Sequence, residues 1–181
     1  MSLRLKTLFL IGLCLSLMAC GFHLRGQGPG AILSYSSIQV IGQSPAAQEL
    51  RKALLLQPSA KLVEKDGEAQ VTISSESYDK QVLSVNSSGQ VAEYRLFYRI
   101  HVNANEGQYL LLNDAVITLS RNLSWDENNI LSKESEEANL LKEMQRDSAQ
   151  QIIRRVNAAS KKRAKASGVA SSAASAPAAS Q

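Results

Sequence analysis

The residue types that could carry out catalysis are few in this chain and are poorly arranged for it. Ser77-Tyr78-Asp79-Lys80 matches the Ser-x-x-Lys pattern in which lysine helps to activate a serine nucleophile, but the Ser-Asp-Asn and Lys-Thr-Gly companions are absent. The two histidines, His23 and His101, have no cysteine, histidine or acidic residue at metal-ligand spacing. We therefore expect no enzymatic activity, no metal site and no cofactor.

The first twenty residues predict an export signal that ends at a lipidated cysteine. Arg4 and Lys6 precede an apolar stretch over residues 8–17, and small Ala19 precedes Cys20, which is the layout of a secretory signal. The apolar stretch is too short to span a bilayer, which needs roughly 20 apolar residues. Leu17-Met18-Ala19-Cys20 resembles the lipobox of bacterial lipoproteins, whose cysteine receives a thioether-linked diacylglycerol and is then N-acylated once the signal is removed. Cys20 would then anchor the mature protein in a membrane.

Two neighbouring features refine this hypothesis. Cys14 is the poorer candidate for lipidation, because Leu13 before it is too large for the cleavage site. Removal of residues 1–19 also removes Cys14, so no intrachain disulfide is expected in an oxidising compartment. Gly21 follows the anchor cysteine, whereas the usual signal for retention in the inner membrane is an aspartate there. We therefore expect the periplasmic side of the outer membrane.

The rest of the chain predicts one domain between a tether and a tail. Residues 20–30 contain Gly26-Gln27-Gly28-Pro29-Gly30, which we interpret as a flexible tether and not as a phosphate loop, because no strand precedes it. Residues 31–160 form the predicted domain. Residues 161–181 carry four basic residues, no acid and little apolar surface, so we expect a disordered tail. Lipid or partner contact by its basic cluster remains an alternative, and no nucleic acid partner is expected.

Sequence periodicity predicts a strand over 36–41 and then a helix. Ser44 is a good N-cap, Pro45 suits a first helical turn, and the helix should run to about Gln57. Its apolar stripe contains Ala47, Leu50, Ala53 and Leu54.

Three further strands are predicted over about 71–85, 93–102 and 109–123. The turns between them are expected at 86–89 and 105–107. The expected core positions of these strands are Tyr94, Leu96, Tyr98, Ile100, Val102, Ile117 and Leu119.

A last helix is expected from about Ser135 to Ala159, after a loop that contains Trp125. Its packing residues would be Leu141, Met144, Ile152 and Val156. The order β-α-β-β-β-α predicts an α+β fold: a two-layer sandwich with a four-stranded mixed sheet and both helices packed on one face. The first crossover should be right-handed and parallel.

Such a sandwich leaves one sheet face uncovered, and the third long strand supplies unusual residues to it. Arg95, Phe97, Arg99 and His101 alternate with the core positions and therefore point outward together. Basic groups around an aromatic ring suit an anionic amphiphile or a protein partner. The alternative is an ordinary solvated antiparallel face.

Several segments, in order and spacing, resemble one family, the lipopolysaccharide-assembly lipoproteins of the LptE (RlpB) type. The resemblance covers residues 20 to about 158. The segments are Cys20-Gly21-Phe22-His23-Leu24-Arg25-Gly26, Gly89-Gln90-Val91-Ala92-Glu93-Tyr94, Lys142-Glu143-Met144 and Ala149-Gln150-Gln151-Ile152-Ile153-Arg154.

The resemblance implies an outer-membrane lipoprotein that plugs the lumen of the LptD β-barrel, helps that barrel to assemble and assists delivery of lipopolysaccharide. Members of the family also bind lipopolysaccharide, whose phosphates are anionic. We expect Lys133 in the loop before the last helix to contact it, then Arg121, with Arg95 and Arg99 behind them. A solvated lysine is the alternative for Lys133, and Phe97 and His101 are the candidate partner contacts.

Two other classes of protein remain open. A lipoprotein adaptor of another envelope machine, such as a transport-complex accessory or a cell-wall synthase activator, would share the anchor and the sandwich. An envelope hydrolase would need a nucleophile and base pair, which the sequence does not offer.

Overall fold

The computed structural model describes residues 35–57 and 61–174, with side chains as far as residue 167. The predicted signal, Cys20 and the tether lie outside these residues, and so does the end of the predicted tail.

Five strands, two α-helices and one short 3₁₀ helix follow one another along the described chain. They are β1 (Ser37–Ile41), α1 (Pro45–Leu55), β2 (Lys61–Val63), β3 (Ala69–Val85), β4 (Val91–Glu106), β5 (Tyr109–Ser124), the 3₁₀ turn Glu127–Asn129 and α2 (Ile130–Ala174).

The strands form one mixed sheet in the order β2-β1-β3-β4-β5. β1 is parallel to both β2 and β3, which confirms the predicted parallel crossover, and β3, β4 and β5 pair antiparallel as consecutive hairpins. The α+β class and the mixed sheet are confirmed. The predicted count of four strands was wrong, because β2 adds a three-residue edge strand that is too short to leave a periodic pattern.

The start of α1 follows from its sequence. The Ser44 hydroxyl accepts a hydrogen bond from the Ala47 amide at 3.3 Å, and Pro45 occupies the first turn. The helix ends at Leu55, slightly before the predicted Gln57. Its buried face consists of Ala46, Ala47, Leu50, Ala53 and Leu54.

The core lies between the sheet and the two helices, which pack on the same face and against each other. Alternation along β4 sets the sheet side of this core, as predicted. The buried core residues of the sheet and of α2 include Leu96, Tyr98, Ile100, Val102, Ile117, Met144, Ile152 and Val156. Leu119 and Leu141 are partly buried against them.

Helix α2 is longer than predicted at both ends. It begins at Ile130, directly after a 3₁₀ turn in which the Asp126 carboxylate accepts from the Asn128 amide at 3.0 Å. It ends at Ala174, so the predicted end at Ala159 was wrong. Residues 161–174, which were predicted to be disordered, are helical.

The helical extension has a physical cause that apolar content alone does not reveal. Alanine, lysine and arginine, which fill this segment, have high intrinsic helix propensity. Arg163 also attaches the extension to the sheet, because its guanidinium pairs with Glu106 and lies 4.1 Å from the Tyr109 ring centroid. Neither described helix combines the length and apolar character needed to cross a bilayer.

Candidate functional site

Among the described residues no element covers the sheet face opposite the helices, and β4 presents its unusual residues there. Arg95, Phe97, Arg99 and His101 alternate with the buried positions Leu96 to Val102, as predicted. We call this outward surface of β3, β4 and β5 the open face.

Each candidate residue on the open face has a neighbour on that face. Arg95 Nε donates to Asn122 Oδ1 at 3.3 Å, and the Arg99 guanidinium lies 5.9 Å from the Phe97 ring centroid. His101 Nδ1 lies 2.8 Å from Asp114 Oδ1, which is the acidic partner that sequence spacing did not reveal.

The surroundings of these residues are polar and mixed in charge. Phe97 lies directly opposite Asp79 in the β3–β4 pair and opposite Ser120 in the β4–β5 pair. The outward residues of the flanking strands include Ser75, Ser77, Gln81, Thr118 and Asn122, all exposed. The open face is therefore a polar surface around one aromatic ring and not a concentrated basic patch.

The two reactive residues of the Ser-x-x-Lys pattern lie three positions apart in β3, after a β-bulge. The register shifts between Ile73 and Ser75, after which Ser77 pairs with outward Arg99 and Lys80 pairs with buried Leu96. Ser77 and Lys80 consequently point to opposite faces of the sheet and form no catalytic pair. Among the described residues no group of three or more His, Cys, Asp or Glu side chains could hold a metal ion.

Lys80 occupies the centre of a polar and aromatic cluster beneath the start of α2. Its ammonium lies 4.2 Å from the Tyr94 ring centroid and 4.3 Å from that of Trp125. It also donates to Glu137 Oε2 at 2.6 Å, while the Tyr78 hydroxyl donates to the other oxygen at 2.6 Å. This cluster joins β3, β4, the loop after β5 and α2.

The contacts within the cluster shift the pKa values of Glu137 and Tyr78. Partial burial disfavours the charged form of Glu137, but hydrogen bonds from Lys80 and Tyr78 outweigh it and hold the pKa of the carboxyl below its usual value. Burial and the same hydrogen bond raise the pKa of Tyr78. The sequence had no local signal for this site, because its residues come from four separate elements.

Lys133 lies in the first turns of α2 and not in a loop, contrary to the prediction. Its ammonium donates to Ser124 Oγ at 2.8 Å and to Glu136 Oε2 at 2.9 Å. Exposed apolar side chains surround this end of the domain, at the start of α2 and near the β3–β4 turn: Val82, Val85, Ile130 and Leu131. We call it the apolar end.

Arg121 lies on the helix side of β5. It pairs with Leu96 in the register, and its guanidinium forms an ion pair with Asp147 of α2. The structure therefore places the four candidate ligand residues in three locations: Arg95 and Arg99 on the open face, Lys133 at the apolar end, and Arg121 between sheet and helix.

These features define an α+β domain whose helices cover one face of a mixed sheet, while no described element covers the other face. The chain belongs to the LptE lipopolysaccharide-assembly family, whose model matches residues 35–156. The family assigns the chain a general role in lipopolysaccharide assembly and confirms the resemblance seen in the sequence.

Solved structures of bacterial lipoproteins share this fold. Lipoprotein B from Nitrosomonas europaea is 31% identical with a TM-score of 0.64, and the match covers 78% of this chain and 93% of that one. Rare lipoprotein B from Shewanella oneidensis is 22% identical with a TM-score of 0.61, covering 71% and 98%. A minor lipoprotein from Acinetobacter baumannii is 18% identical with a TM-score of 0.53, covering 70% and 93%. No curated protein gives a significant sequence match.

Proposed function

We propose that this protein is an outer-membrane lipoprotein, anchored through Cys20 on the periplasmic side, that acts by binding and not by catalysis. In this proposal it forms a plug-type complex with an LptD-type β-barrel, assists the assembly of that barrel and helps to deliver lipopolysaccharide to the outer leaflet. Family membership over residues 35–156 and the lipobox ending at Cys20 support the proposal.

The observation that carries the partner assignment is the open face. An uncovered sheet face is polar in a solvated protein, and the described residues of the open face are mostly polar, with Phe97 and Val116 as apolar exceptions. A mostly polar surface with one aromatic residue and an arginine beside it suits the wall of a water-filled barrel, where hydrogen-bonding side chains surround a few apolar contacts. We therefore assign the barrel contact to the open face around Phe97.

Purification of the complex with variants of single residues tests this assignment. Phe97→Glu and Ser77→Glu each add one negative charge to the open face and should lower the yield of co-purified barrel at least several-fold. Gln150→Glu adds the same charge to an exposed position of α2 and should leave the yield unchanged. Circular dichroism and a urea midpoint confirm that each variant is folded. Equal barrel yield from all three would rule out the open face.

We propose that lipopolysaccharide binds at the apolar end. The Lys133 ammonium has three N–H donors, and two of them bond Ser124 and Glu136. The third donor can reach a phosphate oxygen, and the exposed Ile130 and Leu131 offer apolar contacts for acyl chains. An anionic amphiphile meets both requirements.

Replacement of Lys133 by glutamate should weaken lipopolysaccharide binding by roughly tenfold or more, the loss typical of one charge-assisted hydrogen bond. The matched control is Lys142→Glu, which makes the same charge change at an exposed position on the same helix. Binding is measured with purified protein and lipopolysaccharide by fluorescence anisotropy. Equal affinities for the wild-type protein and Lys133→Glu would remove Lys133 from the site.

A further inference from the structure

Helix α2 is strongly polarised in charge. Residues 130–147 contain five acidic and three basic side chains, whereas no acidic residue follows Asp147 in the sequence. The basic residues beyond that point are Arg154, Arg155, Lys161, Lys162, Arg163 and Lys165. Basic residues near a helix C-terminus are favoured by the helix dipole, but that effect is confined to the last turn. Arg154 lies more than five turns before Ala174, so the dipole does not account for the whole set.

The basic residues divide between two sides of the helix. Arg163 faces the sheet, where it pairs with Glu106. Arg154, Lys162 and Lys165 are exposed, and their spacing places them on the outward half of the helix. We call these three residues the basic surface. Since Ala158 and Ala166 lie among them, this surface lacks the large apolar or aromatic side chains that anchor a protein partner.

The described chain begins beside this same part of α2. The Tyr35 hydroxyl donates to Glu106 Oε2 at 3.0 Å, and Glu106 in turn holds Arg163. Burial raises the pKa of Tyr35 to about 12, and Ser160 and Arg163 of α2 also act on the phenol. The N-terminal side of the domain is therefore fixed to α2 between Ser160 and Arg163.

This geometry connects the basic surface to the anchor. Fourteen residues lie between Cys20 and Tyr35, and the fifteen steps from one to the other span at most about 50 Å. A lipid at Cys20 consequently keeps the basic end of α2 within about that distance of the membrane. The helix can bring Lys162 and Lys165 to the surface of that membrane without unfolding any of the domain.

We infer that the basic surface binds anionic phospholipid headgroups in the membrane that holds the Cys20 anchor. This inference rests on the proposed lipidation of Cys20 and adds a second, electrostatic contact to it. Exposed lysines near an anionic membrane surface each strengthen binding by roughly fivefold, and one lipid anchor combined with basic residues is a common arrangement of peripheral proteins. Binding of the basic surface to the membrane would point the apolar end away from that membrane, because the two lie at opposite ends of the sheet.

The test uses the full-length lipidated protein, reconstituted into vesicles through its own anchor. A fluorophore at Ala166→Cys, an exposed position, is quenched by lipids with a nitroxide headgroup when α2 touches the membrane. Two vesicle compositions are compared: about three parts phosphatidylethanolamine to one part phosphatidylglycerol, and phosphatidylcholine alone. Flotation with the vesicles measures the Cys20 anchor separately, so a failed anchor and a failed basic surface give different signals.

We expect strong quenching on the anionic vesicles, weak quenching on phosphatidylcholine, and loss of the contact as salt shortens the screening length. The double variant Lys162→Gln, Lys165→Gln should lower the ratio of protein molecules with α2 on the membrane to those with α2 off it, as measured by quenching, by roughly 30-fold. The control, Lys142→Gln with Arg146→Gln, removes the same charge from the earlier part of α2 and should leave quenching unchanged. Equal quenching on both vesicles would overturn the inference, and so would quenching that appears only when the barrel partner is present.

Discussion

Replacing Lys80 by alanine should destabilise the domain by about 2–3 kcal/mol. The lysine makes three contacts at once: an ion pair with Glu137 at 2.6 Å and cation–π contacts with Tyr94 and Trp125 at 4.2 and 4.3 Å. The lysine and glutamate side chains are only 25% and 21% exposed, so solvent screens these contacts less than it would at the surface. Each cation–π contact contributes about 0.5–1 kcal/mol or more, and a partly exposed ion pair contributes up to about 1 kcal/mol.

Urea unfolding at neutral pH, followed by the fluorescence of Trp125, measures this loss. Lys80→Met keeps most of the aliphatic packing and removes the charge, so it should still lose a substantial part of the stability. Lys142→Ala, at an exposed position of α2, should change the free energy of unfolding by less than about 0.5 kcal/mol. If Lys80→Ala also changes the free energy of unfolding by less than about 0.5 kcal/mol, the cluster is not a source of stability.

Two further stability predictions concern the pH dependence of the Lys80–Glu137 pair and a close backbone approach at Gly67. The folded-state pKa of Glu137 lies below the ordinary value of a glutamate carboxyl, so its contribution to stability is present above that ordinary value and is lost as the pH falls through the folded-state pKa. The stability difference between the wild-type protein and Glu137→Gln in urea should therefore shrink between pH 7 and pH 3. At Gly67, an added Cβ would lie 2.5 Å from the Gln39 backbone nitrogen, so Gly67→Ala should cost about 2 kcal/mol or more in the same assay. Gly89→Ala, where a Cβ meets only open space at a φ of +81°, should cost about 1 kcal/mol, and equal losses at the two glycines would argue against the close approach.

The sequence was sufficient to predict which side chains of β4 face the core, because successive side chains of a strand point to opposite faces. Alternation from Tyr94 to Val102 assigned Leu96, Tyr98 and Ile100 to the core and Phe97 to the open face, and the structure agrees. The start of α1 was also predictable, since Ser44 and Pro45 act through backbone geometry within a few residues.

The rest depended on contacts between distant parts of the chain. The bulge at Ser74 reverses the alternation of β3, and only the register with β4 reveals that Lys80 then faces the helices. Asp114 sits at a positive φ of 44° next to a register shift in β5, so its contact with His101 has no local sequence signal. Sequence reasoning ended α2 too early because the contact of Arg163 with Glu106 crosses between elements.

The measurement that tests the central proposal most directly is affinity purification of the tagged, lipidated protein from detergent-solubilised outer membranes, with mass spectrometry of what accompanies it. We expect a stoichiometric large β-barrel of the LptD type, together with lipopolysaccharide, and loss of the barrel with Phe97→Glu. Recovery of a cell-wall synthase or an inner-membrane transporter subunit in place of the barrel would contradict the proposed partner while leaving the fold and the family unchanged.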